Sequence, residues 1–289
     1  MTNAKDVNIH PRNVHFERRA LTKRWWHGDD PVATAVYNAL SATFPLGEAF
    51  FVEAVRNHRD GANARLSAEI AAFCSQEVLH SREHLAFNRR IVEAGYDIAP
   101  LEDQVRTRLA MLKAKPPIVG LAATSAFEHF TAVVAHEILA NPRHLAAAEP
   151  EIAALWRWHA VDEVEHKCVA YDTWLHATRD WSRFRRWTVK TKIILLLTRN
   201  YFPDRARGIL ELLRQDGLTG PRVWMRLAWY AFGYPGIARH ILQKWIRFIL
   251  PGFHPSKVDD AHLVVTTESQ SGAAERISAT TRQLSTCSD

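Results

Sequence analysis

The sequence predicts an all-α protein, a four-helix bundle followed by additional C-terminal helices. Three observations carry this. Glycine and proline are scarce, at 12 and 13 of 289 residues, so few of the tight turns that a many-stranded sheet requires can be built. Long stretches rich in Ala, Leu, Glu and Arg repeat apolar residues three and four apart, the period of a helix with one buried face. Finally, 47% of the residues are hydrophobic, ample for a sizeable core in a chain of this length.

Residues 1–30 are polar and aromatic, ending in Trp25, Trp26, Gly28 and Asp29. They are expected to form an extended arm over the folded body and are assigned no chemistry. The arm carries His10, Arg12, His15, Glu17, Arg18 and Arg19 without an apolar segment, so no secretory signal is expected. Helical patterning begins near Pro31 and fills a bundle domain over 31–180, with long segments near 33–58, 63–94, 117–140 and 149–178. Gly61 separates the first pair. Gly95 and Pro100 stop the second helix, Pro116 and Pro117 open the third after a charged connection of about twenty residues, and Asn141 and Pro142 close it. Two hairpins joined by one long crossover is the resulting connectivity.

Beyond Asp180 the composition changes. Residues 181–250 hold fourteen Lys or Arg against three Asp or Glu, which more than accounts for the net charge of +6. Aromatic residues, among them Trp181, Trp187, Trp224, Trp229, Tyr230 and Trp245, punctuate the same stretch, and Gly208, Gly220, Pro221 and Pro235 divide it into several shorter helices. A basic, Trp-rich helical extension is therefore expected over 181–255, and its cations interleaved with apolar turns suit an anionic membrane surface as a partner. No recognised nucleic-acid motif accompanies the charge, so a nucleic-acid partner is not expected. From 256 to 289, Ser, Thr, Ala and charge dominate, and a disordered tail is expected.

Cys74, Cys168 and Cys287 are odd in number, widely spaced and lack a CxxC pair, which fits a reducing compartment and excludes a thiolate zinc site. No charge-free apolar run approaches the roughly 18 residues of a membrane span. The expected location is the cytoplasm, with a peripheral association at the inner membrane face.

The chemistry is concentrated in four residues at matched spacing. Glu77 and His80 stand three apart in the second helix, and Glu163 and His166 repeat that spacing in the fourth. Residues three apart share a helix face. The first and third helices each add a carboxylate in an apolar setting: Glu48 beside Phe44, Leu46 and Phe51, and Glu128 beside Phe127 and Phe130. Glu53 and Glu137 are their rivals, but each projects to a different side of its helix. One Glu from each of two helices and a Glu-x-x-His from each of the other two is the inward-facing ligand set of di-iron and di-manganese bundles. His159 falls on the same face as Glu163 and His166 and joins the ligands. His84 could be a further ligand or a partner behind one. Asp162 could accept an imidazole N–H or lie on the surface.

This ligand order resembles that of the ferritin-like di-iron carboxylate superfamily over roughly residues 33–178. The His159-x-x-x-Glu163-x-x-His166 run looks like that of the di-iron arylamine N-oxygenases, a resemblance that implies an extra histidine on one iron. The fuller pattern also resembles a bacterial family named "predicted metal-dependent hydrolase". It comprises Phe44-Pro45-x-Gly47-Glu48, Glu77-x-x-His80-x-x-x-His84, Glu128 and Trp158-His159 through His166. Two iron ions are the expected cofactor, with manganese or zinc as substitutes, because carboxylate oxygens and imidazole nitrogens suit all three. The reaction expected from these residues is O2-dependent oxidation, hydroxylation or desaturation of a small lipophilic or aromatic substrate, with an external electron donor. The alternative is two-metal hydrolysis of an ester, amide or phosphoester. A third reading, metal storage, leaves the C-terminal addition without a purpose.

Overall fold

The computed structural model describes residues 9–269, and every regular element among them is helical. Asp30 opens α1 (Pro31–Ser41): its carboxylate accepts the Val32 N–H, and Pro31 sits at the start, where no donor is needed. The single helix expected over 33–58 is two, since α2 (Phe44–Arg56) begins anew. Pro45 has no N–H to give the Ser41 carbonyl, so the first helix cannot continue through it. Asn63 caps α3 (Ala64–Glu93) through the Leu66 N–H. The charged connection of the crossover, to which the sequence pattern assigns no helix, carries α4 (Ala99–Lys113), whose buried Leu101 packs against α8. α5 (Pro117–Ala140) follows. The segment expected over 149–178 divides into α6 (Pro150–His166) and α7 (Val169–Ala177).

α2 packs along α3 and α5 along α6; α2 then lies on α5 and α3 on α6 and α7, closing the bundle. At Gly120 a methyl group would come within 3.2 Å of the Phe50 ring, so this glycine lets α2 and α5 approach closely. The apolar core has two parts. One, with Phe50, Val55, Ile70, Phe73 and Trp174, lies on one side of residues 48, 77, 128 and 166; the other, larger and including Trp26, Tyr37, Phe87, Phe130 and Trp156, lies on the other side. A polar layer therefore crosses the bundle at mid-height.

The basic extension does not begin as several short helices. α8 (Arg183–Gln215) is a single helix of 33 residues that runs through Pro203 and Gly208. Gly208 is a contact site and not a break: a Cβ there would meet Leu101 of α4 at 3.1 Å. α9 (Pro221–Ala228), a π-helical turn at Trp229–Gly233 and α10 (Ile237–Ile246) are the short elements. The disorder expected from 256 does not start there either. Residues 261–269 are helical, Val264 is buried, and Lys167 donates to the Asp260 carboxylate and the Val258 carbonyl. Residues 270–289 lie outside the described part. Among the described residues, α5 alone is long and apolar enough to cross a membrane, but 72% of its most apolar stretch is buried inside the protein, as befits the central helix of a bundle.

His129 on α5 ties the extension to the bundle. Its Nε2–H donates to the Lys244 carbonyl at 3.1 Å, and the rings of Trp245, Phe248 and Phe253 enclose it. Burial pushes its pKa down to about 4. A histidine whose folded pKa is depressed contributes stability above its ordinary value of 6.5, and that stability is lost as pH falls towards 4. We expect His129→Leu to reduce the loss of urea-unfolding stability across that interval by about 3 kcal/mol relative to wild type.

Candidate metal centre

The four bundle helices bring Glu48 (α2), Glu77 and His80 (α3), Glu128 (α5), and His159, Glu163 and His166 (α6) into the polar layer, and all seven are buried. Ligand atoms of Glu48, His80 and His159 lie within 4.8 Å of one another, as do those of Glu77, Glu163 and His166. Glu128 joins the second group, one of its oxygens standing 3.4 Å from His166 Nε2. Glu77 and Glu163 each turn one oxygen towards His166, at 3.3 and 3.4 Å, and the other towards His80 Nδ1, at 3.9 Å. These two carboxylates therefore span both groups, with Glu48 and Glu128 at the outer ends.

The donor atoms fit a pair of cations. Both oxygens of Glu77 and of Glu128, one each of Glu48 and Glu163, His80 Nδ1 and His166 Nε2 are buried with no hydrogen-bond partner, which is costly unless something else satisfies them. Four carboxylates crowd together with no lysine or arginine among them. Burial, and next the charge of Glu77, pushes Glu48 well above the usual carboxylate range; burial and Glu163 do the same to Glu128. Against burial, which lowers it, Asp162 and Glu77 hold His80 well above its ordinary value. Glu163 is held well below its ordinary value by His166 and His159, which outweigh its burial. Two divalent cations would cancel the four negative charges and occupy the unpartnered lone pairs.

The histidines are oriented from behind. Asn88 Nδ2–H donates to the Ser41 carbonyl, which turns its Oδ1 to accept the Ser41 hydroxyl at 2.7 Å. Ser41 Oγ must then accept from His84 Nδ1–H, so His84 Nε2 accepts from His159 Nδ1–H, each at 2.8 Å. His159 is left with a lone pair on Nε2, 2.9 Å from Glu163. His84 accordingly supports His159 from behind. Asp162, as one of its two readings required, lies 3.2 Å from His80 Nε2 and leaves Nδ1 facing the carboxylates. Gln76 Oε1 lies 3.0 Å from His166 Nδ1 and fixes that ring likewise. The rivals have other partners: exposed Glu53 pairs with Lys113, and Glu137 with His144 and Asn141.

Sequence reasoning missed Gln76, Ser41, Ser81, Glu165 and the role of the arm. Ser81 donates to Glu48 at 2.7 Å. Arg12 of the arm donates to Asp162 at 2.6 Å and grips both oxygens of Glu165, at 2.9 and 2.5 Å; Glu165 in turn accepts from Gln76 at 3.0 Å. One guanidinium thus steadies the chain behind His80 and the chain behind His166. The available signal was α6 itself, where Asp162 and Glu165 flank the ligands in an apolar helix and require a cation. Arg12→Ala should weaken metal binding about 10- to 100-fold, as loss of such supporting contacts does, with helical content unchanged. Arg12→Lys should recover only part, because a compact ammonium lacks the planar fork that grips both Glu165 oxygens while reaching Asp162. Chelator competition measures both, and equal affinities in all three proteins would remove this role.

A cavity of about 420 Å³ leads to the centre between α2, α4, α5 and α8. Its inner end is Glu48, His159 and Glu163, its walls include Phe51, Phe127, Phe130 and Leu197, and exposed Met111, Lys115 and Leu196 stand at its outer end.

The sequence profile of a family described as "predicted metal-dependent hydrolase" matches residues 10–259. The chain belongs to this family. The matched span takes in the arm from His10, the whole bundle and the extension, so the metal centre and Arg12 lie within the part that defines the family. The family description backs the hydrolytic alternative better than the O2-dependent reaction. Comparison with curated proteins and with solved structures finds no match.

Proposed function

We propose that this metal-dependent hydrolase family member uses two metal ions to hydrolyse a lipophilic ester, amide or phosphoester. The observation that supports this reading best is the set of eight partnerless donor atoms in the polar layer, reached by an apolar cavity. When bound, a pair of divalent ions supplies Lewis acidity to a carbonyl or phosphoryl oxygen and makes water acidic enough to attack near neutral pH. Glu77 and Glu163 would hold both ions, Glu48 and His159 with His80 the one facing the cavity, and Glu128 with His166 the other. The phenylalanine walls hold the apolar part of the substrate and exclude bulk water from its reacting end. Ser81 engages one Glu48 oxygen and leaves the other without a hydrogen bond, so that it would be available to a cation. Iron, manganese and zinc all suit this donor set.

A second reading is O2-dependent oxidation at the same ligands, with iron as the metal and an external electron donor. It is favoured by four carboxylates in the order found in ferritin-like di-iron proteins and by the apolar lining of the cavity.

One experiment separates the two. The protein is loaded with zinc or manganese under nitrogen and offered nitrophenyl esters of increasing chain length, then loaded with iron and given reductant and air. Anaerobic turnover that grows with chain length and is absent in Glu163→Ala supports hydrolysis. No turnover under nitrogen, together with iron-dependent O2 consumption, transfers the assignment to the second reading.

A further inference from the structure

The last third of the protein carries a surface that the metal centre does not use. α9, the π turn and α10 pack against one another and are anchored inward by Val223, Tyr230, Ile237, Ile241 and Trp245, all buried. Their outward side is the reverse of what a solvated surface should be. Trp224, Met225, Trp229, Phe232 and Tyr234 are each more than half exposed within eleven residues, and Leu242 and Ile246 stand out from α10 one turn apart. Isolated exposed apolar residues are ordinary; such a concentration marks a binding surface.

The segment's own charge has one sign, and the acids that reach it, Asp30 and Glu137, pair with Arg226 and Lys244. From residue 217 to 258 the chain has six Lys or Arg and no Asp or Glu. Arg222, Arg239 and Arg247 are exposed and have no acidic partner among the described residues. Two copies meeting through this face would oppose like charges. A surface of exposed Trp, Tyr and Phe bordered by arginines is instead complementary to the headgroup layer of an anionic bilayer, where aromatic rings settle at the boundary and cations meet lipid phosphates and carboxylates.

We infer that α9, the π turn and α10 form a docking face for the surface of an anionic lipid bilayer. The aromatic side chains enter the headgroup boundary and Arg222, Arg239 and Arg247 contact anionic lipid. The bundle stays outside the hydrocarbon, since its longest apolar helix is buried within the protein.

The test is co-sedimentation of the full chain with vesicles of phosphatidylcholine alone or containing about one third phosphatidylserine, at low and high salt. Two variants accompany it: Trp224→Ser/Trp229→Ser/Phe232→Ser, and Arg222→Glu/Arg239→Glu. All five positions are exposed, so helical content should be retained, and circular dichroism verifies it. Wild type should bind the anionic vesicles, more weakly as salt rises, and each variant should bind at least about tenfold more weakly. The inference is overturned by absence of binding at low salt, or by binding that both variants leave intact. It is also overturned if light scattering shows a dimer that the aromatic variant converts to monomer, which would assign the face to a second copy. Metal content and turnover of water-soluble esters are read separately, so failure here leaves the hydrolytic reading untouched.

Discussion

Glu163→Ala and Glu77→Ala should each yield protein that retains its helices and has lost its metal. Each carboxylate turns one oxygen to His166 and the other towards His80 Nδ1. Deleting either therefore removes a donor from both ion positions together. Truncation of Glu48 takes a donor from one position only. We expect wild-type protein reconstituted without O2 to hold about two ions per chain. Either variant should fall to a small fraction of that, and Glu48→Ala to roughly half. Emission spectrometry of gel-filtered protein measures this directly. Full occupancy in Glu77→Ala and Glu163→Ala would show that the two residues grip no ion, and the proposed chemistry would go with them. Conversely, Glu53→Ala, at an exposed position paired with Lys113, should change neither number.

Much of this centre was legible in the sequence because the information was local. Three-residue spacing places Glu77 with His80, and Glu163 with His166, on one helical face whatever the rest of the chain does. The apolar neighbours of Glu48 and Glu128 then distinguished them from Glu53 and Glu137. Element boundaries were less accessible. Pro45 was visible, but only the break at Ser41 showed that it divides a helix. Gly208 reads as a helix breaker until Leu101, more than a hundred residues away, is seen against it. The support behind the ligands was hidden for the same reason. Nothing near Arg12 announces that it meets Asp162 and Glu165, 150 and 153 residues further on. Contacts between distant segments have no period to betray them, and the arm and the Lys167–Asp260 pair are both of this kind.

Glu128→Gln should change sign according to whether metal is bound. In the metal-free protein, burial and the charge of Glu163 raise the Glu128 pKa well above its ordinary value. A carboxyl whose folded pKa is raised contributes stability that is fully present below its unfolded value and lost as pH rises through the folded one. At pH 7 the folded protein must hold this carboxyl either protonated or ionised beside Glu163, and either state costs free energy that the unfolded chain does not bear. Glutamine occupies nearly the same volume without this cost. After chelation and dialysis, Glu128→Gln should therefore melt a few degrees above wild type at pH 7, with the difference disappearing towards pH 4. With metal restored the order should invert, because the carboxylate then faces a cation and the amide is the poorer donor. A variant that is equally destabilised in both states would show that Glu128 is a packing residue, and that the pressure for a cation at this end of the polar layer had been misread.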